Sequence, residues 1–247
     1  MPEKSTGLEN YRYCLSSPPL LDFLPHLVTQ EELRQISQNI ELSQLPLPGY
    51  NHRLGLWYEQ LWIEIIKQYR AWELLAHNHQ VIENKQTCGA IDFLVADHDS
   101  QQVIHFEIAI KFYLHFFENG WQGWLGPDPK DQLSKKVARL LNHQLPMGFH
   151  PQIQKMKARY PKYRFSQKLI LQGRLFEAGT KPSDGIWMRN SQLTYQERHA
   201  FKPVERQYWL TPHLAPEAVL PETISKTTMI YGRGQQIMLT PECWPFL

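Results

Sequence analysis

Two carboxylates that lie within apolar segments are the residues of this 247-residue sequence best suited to chemistry. Asp92 lies inside AIDFLV, and Glu107 lies inside VIHFEIAIKFYL, which spans residues 103–114. Aspartate is depleted in strand interiors, and a charge among apolar side chains needs a partner. Two carboxylates that meet repel each other unless a cation lies between them, and oxygen ligands suit Mg²⁺. The pair therefore predicts a metal site if the fold brings the two side chains together.

An alternating pattern indicates how the fold brings them together. Residues 103–114 alternate as a strand does, with Ile104, Phe106, Ile108, Ile110, Phe112 and Leu114 on one side and Val103, His105, Glu107, Ala109, Lys111 and Tyr113 on the other. The polar turn HDSQQ joins this strand to TCGAIDFLVADHD as a hairpin centred near residue 99. Asp92 and Glu107, whose numbers sum to 199, then face each other with Cβ atoms about 5 Å apart. A slip of one residue would turn Asp92 to the other face.

The polar side of residues 103–114 allows two interpretations. Sheets are commonly apolar on one face and solvated on the other, in which case His105, Glu107 and Lys111 are surface residues. In the functional interpretation, Lys111 shares the face of Glu107 and leans back toward the carboxylates. Its ammonium then orients a water molecule or stabilises negative charge on a phosphate.

Glu59 is the third acidic candidate. It lies in LGLWYEQLWIEIIKQYRAWELLAH, residues 54–77, which has the period of a helix. Its helical neighbours are apolar or small, namely Gly55, Leu56, Trp62, Ile63 and Ile66. A glutamate in such a stripe is costly unless it is paired. Glu59 therefore forms a structural salt bridge with a buried Arg or Lys, or it adds a third carboxylate near the metal.

The elements that position these residues follow a simple order. Over residues 54–176 the pattern predicts helix, strand, strand, strand, helix and strand, with the loop ENGWQGWLGPDP and an N-cap at Asp128 before the second helix. This order is typical of an α/β layer with a mixed sheet. Residues 1–53 are predicted to be an N-terminal helical extension, in which Thr29 and Glu32 form a capping box. Residues 177–247 are predicted to be a C-terminal appendage of short strands and loops packed on the core.

This order, with Glu59 on the first helix, Asp92 on the second strand and Glu107 on the third, resembles the PD-(D/E)XK nuclease superfamily over residues 54–176. The segments LSSPPLL, LGLWYEQLW, AIDFLV, HFEIAIKFYL and GPDPKDQLSKKVARLLNHQL are also similar to an uncharacterised bacterial protein family. The superfamily resemblance implies a restriction-endonuclease-like core. It further implies that Asp92, Glu107 and the backbone carbonyl of Ile108 hold Mg²⁺ or Mn²⁺, and that a lysine helps to activate the attacking water.

The sequence departs from the superfamily pattern at that lysine. The pattern places it at position 109, where this chain has Ala109. Lys111 is then a displaced equivalent, or Lys135 or Lys136 on the next helix supplies the charge. In the remaining alternative the lysine function is lost, and the protein binds without cutting.

Basic residues that could contact nucleic acid lie in two regions. The first comprises Lys130, Lys135, Lys136 and Arg139 on the second helix of the core. The second, KMKARYPKYRFSQK, places Lys155, Lys157 and Arg159 near tyrosine and phenylalanine side chains. Lysine and arginine neutralise phosphates, and aromatic rings stack on bases. The alternative for the second region is a solvated, charged linker.

Whole-chain composition limits the class of protein more than it identifies it. The net charge of +2 neither requires nor excludes a nucleic-acid partner. Three cysteines without a CxxC pair disfavour a disulfide framework or a cysteine zinc site. The polar N-terminus and the lack of a run of about 18 apolar residues predict a cytoplasmic protein that does not span a membrane. The oligomeric state is left open.

Three hypotheses follow from the sequence. The first is a Mg²⁺-dependent nuclease-like phosphodiesterase that acts on DNA, or less favourably on RNA, with Asp92, Glu107 and Lys111 at its centre. The second is a catalytically inactive module on the same fold that binds nucleic acid or protein. The third is an unrelated α/β protein in which Glu59, Asp92 and Glu107 never meet.

Overall fold

The fold is mixed α/β with a large mixed sheet. The computed structural model describes residues 2–50, 52–118, 121–178 and 185–246. The chain forms two compact units, each discontinuous in sequence. Unit 1 comprises residues 1–110 and 137–172, and unit 2 comprises residues 111–136 and 173–247.

The helices and strands have the following bounds. The α-helices are α1 (Pro2–Ser16), α2 (Gln30–Gln38), α3 (Leu54–Gln68), α4 (Leu133–Arg139), α5 (Leu145–Met147), α6 (Pro151–Lys157) and α7 (Tyr195–Arg198). A π-helical turn, Leu140–Gln144, joins α4 to α5. The strands are β1 (Trp72–Glu83), β2 (Gln86–Asp97), β3 (Gln102–Glu118), β4 (Trp121–Leu125), β5 (Arg164–Ala178), β6 (Ile186–Arg189), β7 (Lys202–Val204), β8 (Thr228–Gly232) and β9 (Gln235–Thr240).

Unit 1 contains the strands predicted to carry the site. Its strand order is β1, β2, β3 and β5, and β2 is antiparallel to both of its neighbours. On one face of β3, Val103 packs in a cluster with Ile153 of α6. On the other face, Ile104 and Phe106 line a small cavity together with Ile36 of α2. Helices therefore cover β3 in this unit from both sides.

The register of β2 against β3 agrees with the sequence prediction. Each aligned pair, from Phe93↔Phe106 to Asp97↔Gln102, has residue numbers that sum to 199. The paired register ends at Phe93↔Phe106, and one further step would set Asp92 opposite Glu107. The turn between the strands lies at residues 98–101, close to the predicted centre.

The interpretation of residues 103–114 as a half-solvated strand is wrong for its first eight residues. Every residue from Val103 to Ile110 is buried, and the side chains of His105 and Glu107 have no exposed surface. Two polar side chains in such an interior require hydrogen-bond partners, because burial removes the water that would otherwise serve them.

Two of the predicted element boundaries are wrong. The helix predicted for residues 54–77 ends at Gln68, because residues from Trp72 onward pair with β2, beginning with Trp72↔Asp97. Strand pairing overrides the helical period there. The helix predicted to begin beside Asp128 begins at Leu133, since the Asp128 carboxylate accepts the backbone N–H of Lys130 in a turn.

Part of the predicted loop ENGWQGWLGPDP is a strand. β4 pairs with β3 in antiparallel register from Glu118↔Trp121 to Leu114↔Leu125, which extends the hairpin. Residues 119 and 120 of that prediction lie outside the described residues. The order of helix, three strands, helix and strand is otherwise present, and the capping box of Thr29 with Glu32 opens α2 as predicted.

Unit 2 continues β3 and β5 and adds the short C-terminal strands that the sequence predicted. β6 is parallel to β5 and to β9, whereas β8 is antiparallel to β7 and β9. Apolar residues of these strands and of the connecting segments form a core cluster that comprises Leu193, Phe201, Leu220, Ile230, Ile237 and Leu239. No helix among the described residues is long and apolar enough to cross a bilayer.

Candidate functional site

Asp92 lies at the point where the β2–β3 ladder ends. Its Oδ2 accepts the backbone N–H of Ile108 at 2.8 Å, so this side chain takes the place of a backbone acceptor from β2. The bond fixes the Asp92 carboxylate against β3, one residue beyond Glu107. The β2–β3 hairpin therefore brings the Asp92 carboxylate to the β3 backbone beside Glu107, and a shared metal site of the two carboxylates stays a prediction.

Glu107 is oriented through both of its carboxylate oxygens. His105 Nε2 lies 2.9 Å from Oε1, and Gln144 Nε2 donates to Oε2 at 2.6 Å. The two contacts engage different oxygens of the carboxylate, so His105 and Gln144 together orient the glutamate.

His105 is held as a neutral ring. Burial lowers its pKa from 6.5 to about 4, although the charge of Asp92 and the carbonyl of Leu145 favour the protonated form. A carboxylate only accepts hydrogen bonds, so the neutral ring carries its proton on Nε2 and donates it to Glu107. Nδ1 faces Gly148, where an added Cβ would lie only 2.6 Å away.

The π-helical turn brings Gln144 to Glu107. Leu145 N–H bonds to the carbonyl of Leu140, so the helix contains one extra residue in this turn. Leu140 and Leu145 are both buried and anchor the turn at its two ends. Gln167 of β5 donates to the Leu145 carbonyl, which ties the turn to the sheet. Such insertions are often found at functional sites because they redirect side chains.

The donor set fits a hard divalent cation in its chemistry. Two carboxylates and the adjacent backbone carbonyl of Ile108 are oxygen ligands of the kind that Mg²⁺ and Mn²⁺ accept. Hydrogen bonds to a ligating carboxylate orient it, as those of His105 and Gln144 would do for Glu107. The described residues contain no group of three or more His, Cys, Asp or Glu side chains arranged to hold a metal.

Glu59 is half-buried on α3, and not enclosed as its apolar neighbours predicted. The buried face of the helix comprises Trp57, Tyr58, Leu61, Trp62, Ile63, Ile65 and Ile66. Tyr58 donates to Gln172 of β5, which fixes the helix to the sheet. The proposed role of Glu59 beside the metal stays a prediction.

Lys111 forms an ion pair within unit 2. Its Nζ lies 2.5 Å from Asp131 Oδ2, and Tyr113 donates to Oδ1 of the same aspartate at 3.0 Å. Burial raises the pKa of Tyr113, with a further contribution from the charge of Asp131. Ala109, at the position of the superfamily lysine, is buried.

The predicted nucleic-acid residues fall in several places. Lys130 and Lys135 line one cleft of unit 2. Lys136 is half-buried in the same unit, whereas Arg139 is exposed in unit 1. In unit 1, Lys155 and Arg159 are exposed and Lys157 is half-buried, on α6 and the turn that follows it.

Residues 9–236 match a protein family described as a domain of unknown function, DUF1853. The chain belongs to the DUF1853 family. No curated protein matches this DUF1853 chain. No solved structure matches it either.

Three contacts of the DUF1853 chain were missed from the sequence. Gln144 and Gly148 lie against Glu107 and His105, and Asp131 holds Lys111. The segment LLNHQL carries no pattern that distinguishes Gln144 from a surface residue. Asp131 follows a Pro-rich turn, where an aspartate is expected for turn formation alone.

The stability of the DUF1853 chain should decrease as the pH falls toward 4, because the folded state keeps His105 neutral. Between pH 6.5 and about 4 the unfolded chain binds a proton at this histidine that the folded chain does not bind. Stability rises with pH wherever the unfolded state binds more protons, so the loss reaches about 3 kcal/mol near pH 4. Urea unfolding in EDTA at a series of pH values between 7 and 4 measures this loss of stability.

The variant His105→Gln is the control for this experiment, since glutamine can donate to Glu107 and does not titrate. Its stability should depend less steeply on pH over the same window. Parallel pH profiles for the two proteins would contradict a buried, neutral His105.

Proposed function

We propose that this DUF1853 chain is a Mg²⁺-dependent nuclease-like phosphodiesterase on a restriction-endonuclease-like core, with DNA, or else RNA, as substrate. One observation carries the proposal: the Asp92 carboxylate bonds to Ile108, the residue after Glu107, at the end of a β2–β3 register that would pair Asp92 with Glu107 if it continued by one step. The element order and the resemblance to PD-(D/E)XK nucleases support the same assignment. The absence of disulfides from Cys14, Cys88 and Cys243 agrees with a reducing, cytoplasmic setting.

In this proposal Asp92, Glu107 and the Ile108 carbonyl hold Mg²⁺ or Mn²⁺. A bound divalent cation lowers the pKa of its water and neutralises charge on the phosphate. The side chains of the protein hold the ligands in place before substrate binds. The hydrogen bonds from His105 and Gln144 fix Glu107, so little reorganisation accompanies the reaction.

A catalytically inactive nucleic-acid-binding module is the second candidate. The specific observation in its favour is the ion pair of Lys111 with Asp131, together with Ala109 at the usual lysine position. A lysine that is neutralised by an aspartate contributes less positive charge to a phosphate than a free one. In this candidate the two carboxylates retain a structural or metal-binding role without hydrolysis.

A metal titration combined with a nicking assay tests the proposal. Isothermal titration of Mg²⁺ and Mn²⁺ into wild type should show one binding site, and supercoiled DNA in the same buffer should be nicked. The double variant Asp92→Asn, Glu107→Gln should neither bind the metal nor nick DNA, because it removes two charges while keeping side chains of the same shape. Asparagine still accepts the Ile108 N–H.

The matched control is the double variant Glu83→Gln, Asp99→Asn, which changes the net charge equally at exposed positions of unit 1. It should bind metal and nick DNA as wild type does. Metal binding without nicking of DNA or RNA would favour the inactive module. Equal metal affinity in wild type and both variants would refute the site.

A further inference from the structure

A second surface of the molecule, in unit 2, is built to bind anions. A cleft of about 720 Å³ lies between the turn at residues 127–132, the start of α4 and two C-terminal segments. Its described lining includes the cations Lys130, Lys135, Arg206 and Lys226. All four side chains belong to exposed residues, so their charges face solvent around one concavity.

Among the described residues, none of these four side chains forms an ion pair with a carboxylate. Within the described residues of unit 2, the ion pairs are made by other cations, namely Lys111, Arg189 and Lys202. Asp131, which lies one helical turn before Lys135, is occupied by Lys111 and Tyr113. Asp128 is the carboxylate among the described lining residues, and its Oδ1 accepts the Lys130 backbone N–H. The cleft therefore has a net positive charge of about three.

Contacts with the surrounding structure orient the Arg206 side chain and fix the backbone segment that carries Lys226. The Arg206 guanidinium lies over the buried Trp209 ring at 5.5 Å, which favours a defined orientation and leaves its N–H groups for an acceptor. Thr227, next to Lys226, donates to the Pro127 carbonyl and joins two walls of the cleft. A positioned arginine fork suits the two oxygens of a phosphate.

We propose that this cleft binds the phosphodiester backbone of nucleic acid, and that Arg206 and Lys226 are contact residues in addition to Lys130 and Lys135. Pockets for small ligands are predominantly apolar and enclosed, whereas this described lining consists of proline, glutamine, threonine, one aspartate and four exposed cations. Such a surface recognises repeated charge and not base edges. The proposal rests on the proposed function only in taking a nucleic acid as partner, and it does not require the metal site.

Binding of a fluorescently labelled duplex DNA by the full chain in EDTA tests the proposal without cleavage. For wild type the logarithm of the dissociation constant should rise linearly with the logarithm of the salt concentration. The double variant Arg206→Ala, Lys226→Ala should bind roughly tenfold or more weakly and reduce that slope by about 2, since each phosphate contact contributes about 0.9. The variant Asp128→Asn keeps the turn acceptor, removes the negative charge and should bind several-fold more tightly.

The matched control is Lys67→Ala, Arg70→Ala, which removes two charges from exposed positions of unit 1. This control should show the same dependence of the dissociation constant on salt concentration as wild type. If the salt dependence of the dissociation constant had the same slope for the cleft variant and the control, the proposal would be overturned. It would also be overturned if inorganic triphosphate displaced the duplex at an equal concentration of phosphate groups, because the cleft would then be a site for a small ligand. Lack of duplex binding by wild type would also overturn it, while the metal titration decides the carboxylate site independently.

Discussion

Replacing Gly173 with alanine should destabilise the protein by about 3–5 kcal/mol, far more than the same change at Gly234 or Gly55. Gly173 lies within β5 with φ of +139°, a conformation that side chains rarely adopt. A Cβ there would lie 1.6 Å from the backbone oxygen of Lys111 on the neighbouring strand. Neither backbone can move without breaking the β3–β5 pairing, so strain and overlap add. The midpoint of urea unfolding measures the loss.

Two other glycines separate the causes of that loss. Gly234 also has a positive φ, +74°, but an added Cβ would meet nothing within 4 Å, so Gly234→Ala should cost only about 1–2 kcal/mol. Gly55 lies in α3 with open space around it, and Gly55→Ala should stabilise the helix by up to about 1 kcal/mol. A Gly173→Ala protein as stable as wild type would show that β3 and β5 do not approach so closely.

The register of the β2–β3 hairpin was predictable because local patterns determine it. A short polar turn sets the hairpin register, and with a side-chain period of two that register alone decides which residues share a face. The residue numbers 92 and 107 follow from the turn at residues 98–101 without knowledge of any distant contact. Counting residues from the turn in this way predicts the register only where two paired strands are consecutive in the chain.

Contacts between distant segments could not be predicted in this way. Gln144 meets Glu107 only because the π-helical turn adds a residue, and nothing in LLNHQL signals that insertion. Lys111 pairs with Asp131, 20 positions further along the chain, across a turn whose sequence predicted a helix N-terminus. The end of α3 at Gln68 is set by strand pairing with β2 and not by the sequence of the helix itself.

The buried polar face of β3 has a consequence for how its residues tolerate change. His105 and Glu107 lie among residues with almost no exposed surface, and Glu107 accepts hydrogen bonds from both His105 and Gln144. Removing one member leaves the others unsatisfied in a medium of low dielectric constant, where that is most costly. A variant at this site would therefore change the stability of the fold as well as the proposed metal binding, and an experiment must separate the two effects.

The variant Glu107→Gln should separate the effect on stability from the effect on metal binding. We expect it to lose about 1 kcal/mol of stability and more than about a hundredfold in metal affinity. The glutamine oxygen can accept from Gln144, and its amide can donate to His105 Nε2 once the histidine takes its other neutral tautomer. The fold is thus preserved while the ligand charge is lost. Urea unfolding and Mn²⁺ titration on the same preparation measure the two effects.

Glu107→Ala should lose metal affinity equally but destabilise the protein by about 2–4 kcal/mol, because the donors of His105 and Gln144 are left without their acceptor beside a cavity. Gln144→Ala keeps both proposed ligands and should weaken metal binding by about tenfold, as expected of a residue that only orients a ligand. Its stability loss should be close to that of Glu107→Gln. If Glu107→Gln instead bound Mn²⁺ as wild type does, Glu107 would be a structural member of a buried hydrogen-bond network, and the inactive module would be the better account of this fold.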